Sequence, residues 1–184
     1  GDAEGDAKGG LVVVQEIFGV NDHIRAVCDG FVAEGYNVVS PALFDRVERG
    51  VELAYGEDTF MRGRALRAEI GWDQVVLDVK AAVERLKSPG AVGVVGYCWG
   101  GSAAWLAACR LDLACAVGYY GGHIIEFNDE RPRCPTMLHF GERDSFIPMV
   151  DVEQIRTAHP DVPVHVYPAD HGFNCDARAS HDPE

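Results

Sequence analysis

Short apolar runs rich in β-branched residues alternate along this chain with longer segments in which apolar residues recur every three or four positions. The runs read as strands buried on both faces of a sheet, and the periodic segments as amphipathic helices. Strands are predicted at Leu11–Val14, Asn37–Ser40, Val92–Val95, Ala114–Tyr120, Pro135–Phe140 and Val162–Tyr167. A helix is predicted over Asp22–Glu34, with Ile24, Val27, Phe31 and Val32 at helical spacing and Gly35 as its stop. Residues from about Phe60 to Leu86 read as mostly helical with a break near Gly71. In their second half Val75, Val76, Val79, Ala82, Val83 and Leu86 form an apolar stripe. Further helices are predicted at Ser102–Ala108 and Val150–Ala158, while Ala42–Thr59 has no period and reads as an irregular surface excursion. This alternation predicts an α/β fold, a three-layer sandwich with a mainly parallel sheet flanked by helices. At 184 residues it reads as one domain spanning residues 1–184.

One strand-to-helix junction stands out chemically. The strand Val92–Val95 breaks into Gly96-Tyr97-Cys98-Trp99-Gly100-Gly101 before helix formers resume. This G-x-C-x-G pattern has the layout of a nucleophile elbow, with cysteine where serine usually stands. Glycines two residues before and after the nucleophile are needed because the turn is tight, and a Cβ there would strike the neighbouring strand or helix. The helix N-terminus beneath the sulfur and the backbone N–H of Trp99 both favour negative charge at that point. A buried, inert cysteine in a Gly-rich turn fits the pentapeptide equally well.

In open parallel sheets ligands bind at the carboxyl ends of the strands. The residues just after the predicted strands are Glu16, Cys98, Tyr120, Asp144 and His171. They supply a nucleophile, an acid and a histidine in the chain order of the α/β-hydrolase triad, from three separate loops. Singly, Asp144 and His171 would read as ordinary loop residues; together and in order they point to acyl transfer to sulfur.

Charge narrows the partners. The net charge of −13 disfavours nucleic acid and anionic membranes, and an anionic substrate would need a local arginine. No apolar run reaches membrane-span length, and the acidic start lacks a signal-peptide pattern. The six cysteines, at 28, 98, 109, 115, 134 and 175, show no CxxC or regular spacing. Cys28, Cys109 and Cys115 sit in apolar segments as small hydrophobes would. Free thiols in a reducing, cytoplasmic setting are expected, and no Cys/His cluster has metal-ligand spacing.

Taken together, Gln15-Glu16-Ile17-Phe18-Gly19, the Cys98 elbow, Ala116–Gly121, the Asp144 loop and Asp170-His171-Gly172-Phe173 resemble the dienelactone hydrolase family of the α/β-hydrolase fold. The resemblance runs from about Leu11 to Arg178. It implies Cys98 as nucleophile with His171 and Asp144 as partners, and Glu16 as a carboxylate acting on the resting thiol. It also implies an oxyanion hole from the backbone N–H groups of Ile17 and Trp99. The activity implied is opening of a carboxylate-bearing butenolide in the breakdown of chlorinated aromatics, with no cofactor or metal. Substrate contacts are expected from Tyr120, Arg62 and Arg178.

Departures bear on the substrate. The family holds its substrate carboxylate with one arginine in the helical region before the elbow and another four residues after the histidine. Here that second position is Cys175, the nearest arginine is Arg178, and Arg62, Arg64 and Arg67 compete for the first. An N-terminal strand pair and a helix after the histidine loop have no counterpart here, and these terminal segments are expected to lie outside the chain. A general esterase or thioesterase, and a non-catalytic ligand-binding or thiol-sensing protein, are the competing readings.

Overall fold

The computed structural model describes residues 1–3, 6–86 and 91–182. Six strands form one sheet: β1 (Gly10–Val14), β2 (Asn37–Val39), β3 (Val92–Tyr97), β4 (Cys115–Tyr119), β5 (Thr136–Gly141) and β6 (Val164–Tyr167). Their order across the sheet is β2-β1-β3-β4-β5-β6, and every pairing is parallel. The chain runs outward from β1 to β2 and then returns to β3 on the other side of β1. The crevice at the carboxyl ends of β1 and β3 is therefore the topological switch point, where such sheets bind ligands.

Helices lie on both faces: α1 (Asp22–Ala33), α2 (Glu57–Ala68), α3 (Trp72–Leu86), α4 (Trp99–Arg110) and α5 (Met149–Ala158). Alternation along β1 assigns the layers. Val12 and Val14 pack with Val75, Val79, Ala103 and Ala107 of α3 and α4, whereas Val13 packs with Ile24 of α1. Every residue of α4 from Trp99 to Cys109 is buried. Such a helix cannot be amphipathic, which is why only its small, apolar composition marks it in the sequence. In α3 all six residues of the predicted stripe are buried. Helix α1 starts where Asn21 accepts the Ile24 N–H at 3.2 Å, satisfying one of the helix's free donors.

Two expectations need correction. The stretch 42–59 is not merely surface: Leu43–Arg46 is a 3₁₀ turn, and Leu43 and Phe44 are fully buried. The Gln15 carboxamide accepts the Leu43 N–H at 3.1 Å, and the Phe44 ring stacks on Trp99 at 5.4 Å. Helix α2 also begins at Glu57, three residues before Phe60. Of the three cysteines expected inside, Cys109 is buried and Cys28 half-buried, but Cys115 is exposed. It is the first residue of β4. All six cysteines are unpaired.

On the Val13 face, register aligns Tyr97, Tyr119, His139 and His165 across four strands. Their rings stack in a ladder, with Tyr119 and His139 4.4 Å apart at 11°. Burial and the neighbouring His165 push the His139 imidazole down to about 4.

Candidate active site

Cys98 sits between β3 and α4 at φ 55°, ψ −115°, a left-handed conformation strained for any residue with a Cβ. Close packing holds it there. A Cβ on Gly96 would lie 1.8 Å from the Gly100 carbonyl oxygen, and one on Gly100 would lie 2.2 Å from that of Val14. The two elbow glycines are thus required by contacts with α4 and β1. The backbone N–H groups of Ile17 and Trp99 have no hydrogen-bond partner among the described residues, and both residues line the pocket above Cys98.

The loops after β5 and β6 bring the acid and the histidine together. A Cβ on Gly141 would meet the Ala169 carbonyl at 2.4 Å, so the two loops leave their strands in contact. Arg143 N–H donates to that same carbonyl at 3.0 Å. Asp144, 5% exposed, accepts the Phe146 N–H at 2.8 Å through Oδ1. Its Oδ2 lies 2.6 Å from His171 Nδ1. Burial alone would hold His171 in its neutral form. The negative charges of Cys98 and Asp144 outweigh that and push the imidazole up to about 10.

Glu16 is 1% exposed and makes no hydrogen bond to Cys98. Its Oε2 accepts from the Tyr55 hydroxyl at 2.8 Å and its Oε1 from Arg178 at 3.3 Å. Arg178 packs against the histidine loop: a Cβ on Gly172, at φ 80°, would meet its guanidinium at 2.4 Å. It lies 5.6 Å over the Tyr55 ring and faces a neighbouring hollow, not the one that holds Cys98.

The Cys98 pocket has a volume of about 240 Å³. Beyond Cys98, Ile17, Trp99 and His171, its walls include Phe60, Phe146, Arg64, Arg67 and His123. Arg62, expected to contact substrate, instead pairs with Glu48 at 2.5 Å, both half-exposed at the surface. Tyr120 is also displaced from the expected role. It is fully buried, its hydroxyl has no partner among the described residues, and its ring lies behind His171 at 5.0 Å.

Phe60, Phe146, Tyr55 and His123 were not picked out in the sequence. One signal bore on α2: Gly63 in a helix interior, which costs about 1 kcal/mol relative to alanine and so marks a close approach. Its missing Cβ would lie 1.9 Å from the Ile17 carbonyl oxygen. That contact lays α2 on the Glu16–Phe18 loop and sets Arg64 and Arg67, one and four residues on, over the pocket. Among the described residues no cluster of His, Cys, Asp and Glu could hold a metal ion, and no helix is long and apolar enough to cross a membrane.

Residues 3–184 match the model of the dienelactone hydrolase family. The carboxymethylenebutenolidase of Pseudomonas sp. strain P51 is 36% identical over 183 residues, covering 92% of this chain and 74% of its own. That of Pseudomonas putida is 33% identical over 174 residues, covering 89% and 74%. A Klebsiella pneumoniae crystal structure assigned as a dienelactone hydrolase superposes with a TM-score of 0.82 at 30% identity, covering 98% of this chain and 84% of that one. A metagenomic dienelactone hydrolase-like promiscuous phosphotriesterase shares the fold, with a TM-score of 0.73 at 19% identity over 97% of this chain and 77% of its own. The sheet order, the strained Cys98 turn and these similarities along nearly the whole chain agree: the protein belongs to the dienelactone hydrolase family.

Proposed function

We propose that this protein is a cysteine-dependent hydrolase that opens a lactone through a thioester acyl-enzyme. The observation that carries the reading is the 2.6 Å contact between Asp144 and His171, whose ring is also raised by the charge of Cys98 on its strained turn. His171 holds the Cys98 proton in the ion pair that its raised ring favours, and the thiolate sulfur attacks the lactone carbonyl carbon. Charge developing on the carbonyl oxygen is taken by the Ile17 and Trp99 N–H groups, which have no other partner among the described residues and belong to residues lining the same pocket. The C–O bond of the ring then breaks, and His171 returns the proton to the departing oxygen. Water, deprotonated by the same histidine, hydrolyses the thioester and frees the carboxylate product. Asp144 holds the tautomer and supports the imidazolium throughout.

The relatives named carboxymethylenebutenolidase suggest the substrate class: a butenolide bearing a carboxylate. Arg64 and Arg67 on the pocket wall are the cations suited to that group. No step calls for a cofactor or metal. The test is steady-state hydrolysis of a dienelactone and of a neutral aryl ester by wild type and Cys98→Ala. Preference for the lactone, with turnover reduced by several orders of magnitude in Cys98→Ala, is the expected result. Preference for the neutral ester would move the substrate class to general esters while keeping the mechanism. Undiminished turnover in Cys98→Ala would remove the cysteine mechanism.

A further inference from the structure

The reaction outlined above makes no use of His123, although this side chain lines the Cys98 pocket beside Arg64 and Arg67. Its placement is built. The His123 backbone N–H donates to Ser102 Oγ at 3.0 Å, and Ser102 is fully buried in the first turns of α4. The turn that carries His123 is thereby tied to the same helix that carries Cys98. Trp72, at the start of α3, fixes the ring from another side: the imidazole meets the indole edge-on at 5.4 Å and 61°. The Arg67 guanidinium lies 5.0 Å over that same indole. One aromatic ring thus holds a cation and a histidine side by side.

The charges facing this imidazole come from several elements. Helix α2 contributes Arg67 and Arg64, and the 3₁₀ turn Ile124–Phe127 contributes the exposed Glu126. Ser102 and Trp72 are uncharged, and Cys98 and His171 stand elsewhere in the same pocket. Among the described residues Arg67 makes no ion pair, and its Nε is buried without a hydrogen-bond partner. Burial first, then the Arg67 charge, holds His123 below the ordinary histidine value, with Arg64 acting the same way and Glu126 against it. A neutral imidazole beside two cations is a site whose missing counterpart is an anion.

We propose that His123 is a specificity residue that holds an anionic group of the substrate together with Arg67, and that it takes up a proton when that anion binds. An anion lodged between them offsets the repulsion from the arginines and adds its own attraction, so the imidazolium becomes the stable form. The proton comes from solvent and returns to it when the anionic product leaves; no bond other than the ring N–H is made or broken. The inference rests on reading this pocket as the substrate site of a hydrolase.

Two measurements test it separately from that reading. In calorimetric titrations with fumarate, a small dicarboxylate probe fully ionised at the working pH, performed in buffers of different ionisation enthalpy near pH 6.5, wild type should take up a substantial fraction of one proton per fumarate. His123→Gln should bind more weakly and take up none. Equal uptake in the two proteins, or no uptake or binding by wild type, overturns the proposal whether or not the protein hydrolyses lactones. In kinetics, KM of wild type for a carboxylate-bearing lactone should fall by up to about tenfold per pH unit as pH drops through the His123 titration. KM for a neutral aryl ester should stay flat. His123→Gln should abolish the slope and raise KM for the carboxylate-bearing lactone far more than KM for the neutral aryl ester. A slope unchanged in His123→Gln, or equal damage to both substrates, overturns the proposal; uptake of the proton with no turnover of either substrate would instead sink only the hydrolase reading.

Discussion

Arg178 donates to Glu16 Oε1 at 3.3 Å, and the carboxylate it meets is 1% exposed. A charge this deep is tolerable only with its partner in place, because removing one member leaves the other buried and uncompensated. Arg178→Met should therefore lower stability by about 3 kcal/mol in urea unfolding. Adding Glu16→Gln to that variant should restore much of the loss, since no naked carboxylate then remains. If the double variant is as unstable as the sum of the two single ones, the pair is not coupled.

Gly63 and Gly30 are both interior to helices, and alanine should act on them in opposite directions. At Gly30 in α1 a Cβ would meet nothing within 4 Å, so Gly30→Ala should stabilise by about 0.5–1 kcal/mol through helix propensity. At Gly63 the Cβ would lie 1.9 Å from the Ile17 carbonyl oxygen. Gly63→Ala should destabilise by about 1–3 kcal/mol. It should also lower kcat, by displacing the loop that carries the Ile17 N–H. Thermal unfolding and ester hydrolysis of both variants check the contrast.

Tyr120→Phe removes a buried hydroxyl that has no partner among the described residues. A buried donor without a partner is a cost, so the change should leave stability unaltered or raise it by up to about 1 kcal/mol. The ring behind His171 stays in place, and KM should not move. A several-fold rise in KM would return Tyr120 to the substrate site.

His139 supplies a pH dependence. Its imidazole is held down to about 4 in the folded chain against an ordinary value near 6.5. The unfolded chain therefore binds the extra proton between those values. Its contribution to stability is present above pH 6.5 and is lost as pH falls through 4, at no more than about 1.4 kcal/mol per pH unit. His139→Phe should flatten that part of the urea-midpoint profile relative to wild type. Parallel profiles for the two proteins would show that the ladder histidine does not titrate in this range.

Much of the architecture was legible because its signals are local. All six strands begin and end within a few residues of the apolar runs that announce them, and the stripe on α3 is buried residue for residue. The Cys98 turn was legible for the same reason: it needs two glycines at fixed offsets from one reactive residue. Cys98, Asp144 and His171 could be picked out together because each follows a strand, and strand ends in a parallel sheet converge at one edge.

Other parts were hidden because their cause lies across the fold. The carbonyl of Ile17 that meets Gly63 selects which arginines of α2 overlook the pocket, and the spacing of Arg62, Arg64 and Arg67 could not reveal it. Glu16 takes its partners from Tyr55 and Arg178, 39 and 162 residues away. His123 had no motif at all; it becomes part of a site only through Ser102 and Trp72. The exposed Cys115 carries the apolar flanks of a buried residue yet opens β4 at the surface.

By itself, then, the chain's pattern determined the layers, the strained turn and the set of strand-end groups available for chemistry, since periodicity and turn sterics act over a handful of residues. Only the tertiary structure decided which cations face Cys98, what holds Glu16 and where Tyr120 lies. Those depend on backbone approaches of about 2–4 Å between segments far apart in sequence, contacts that close packing enforces and no local pattern encodes.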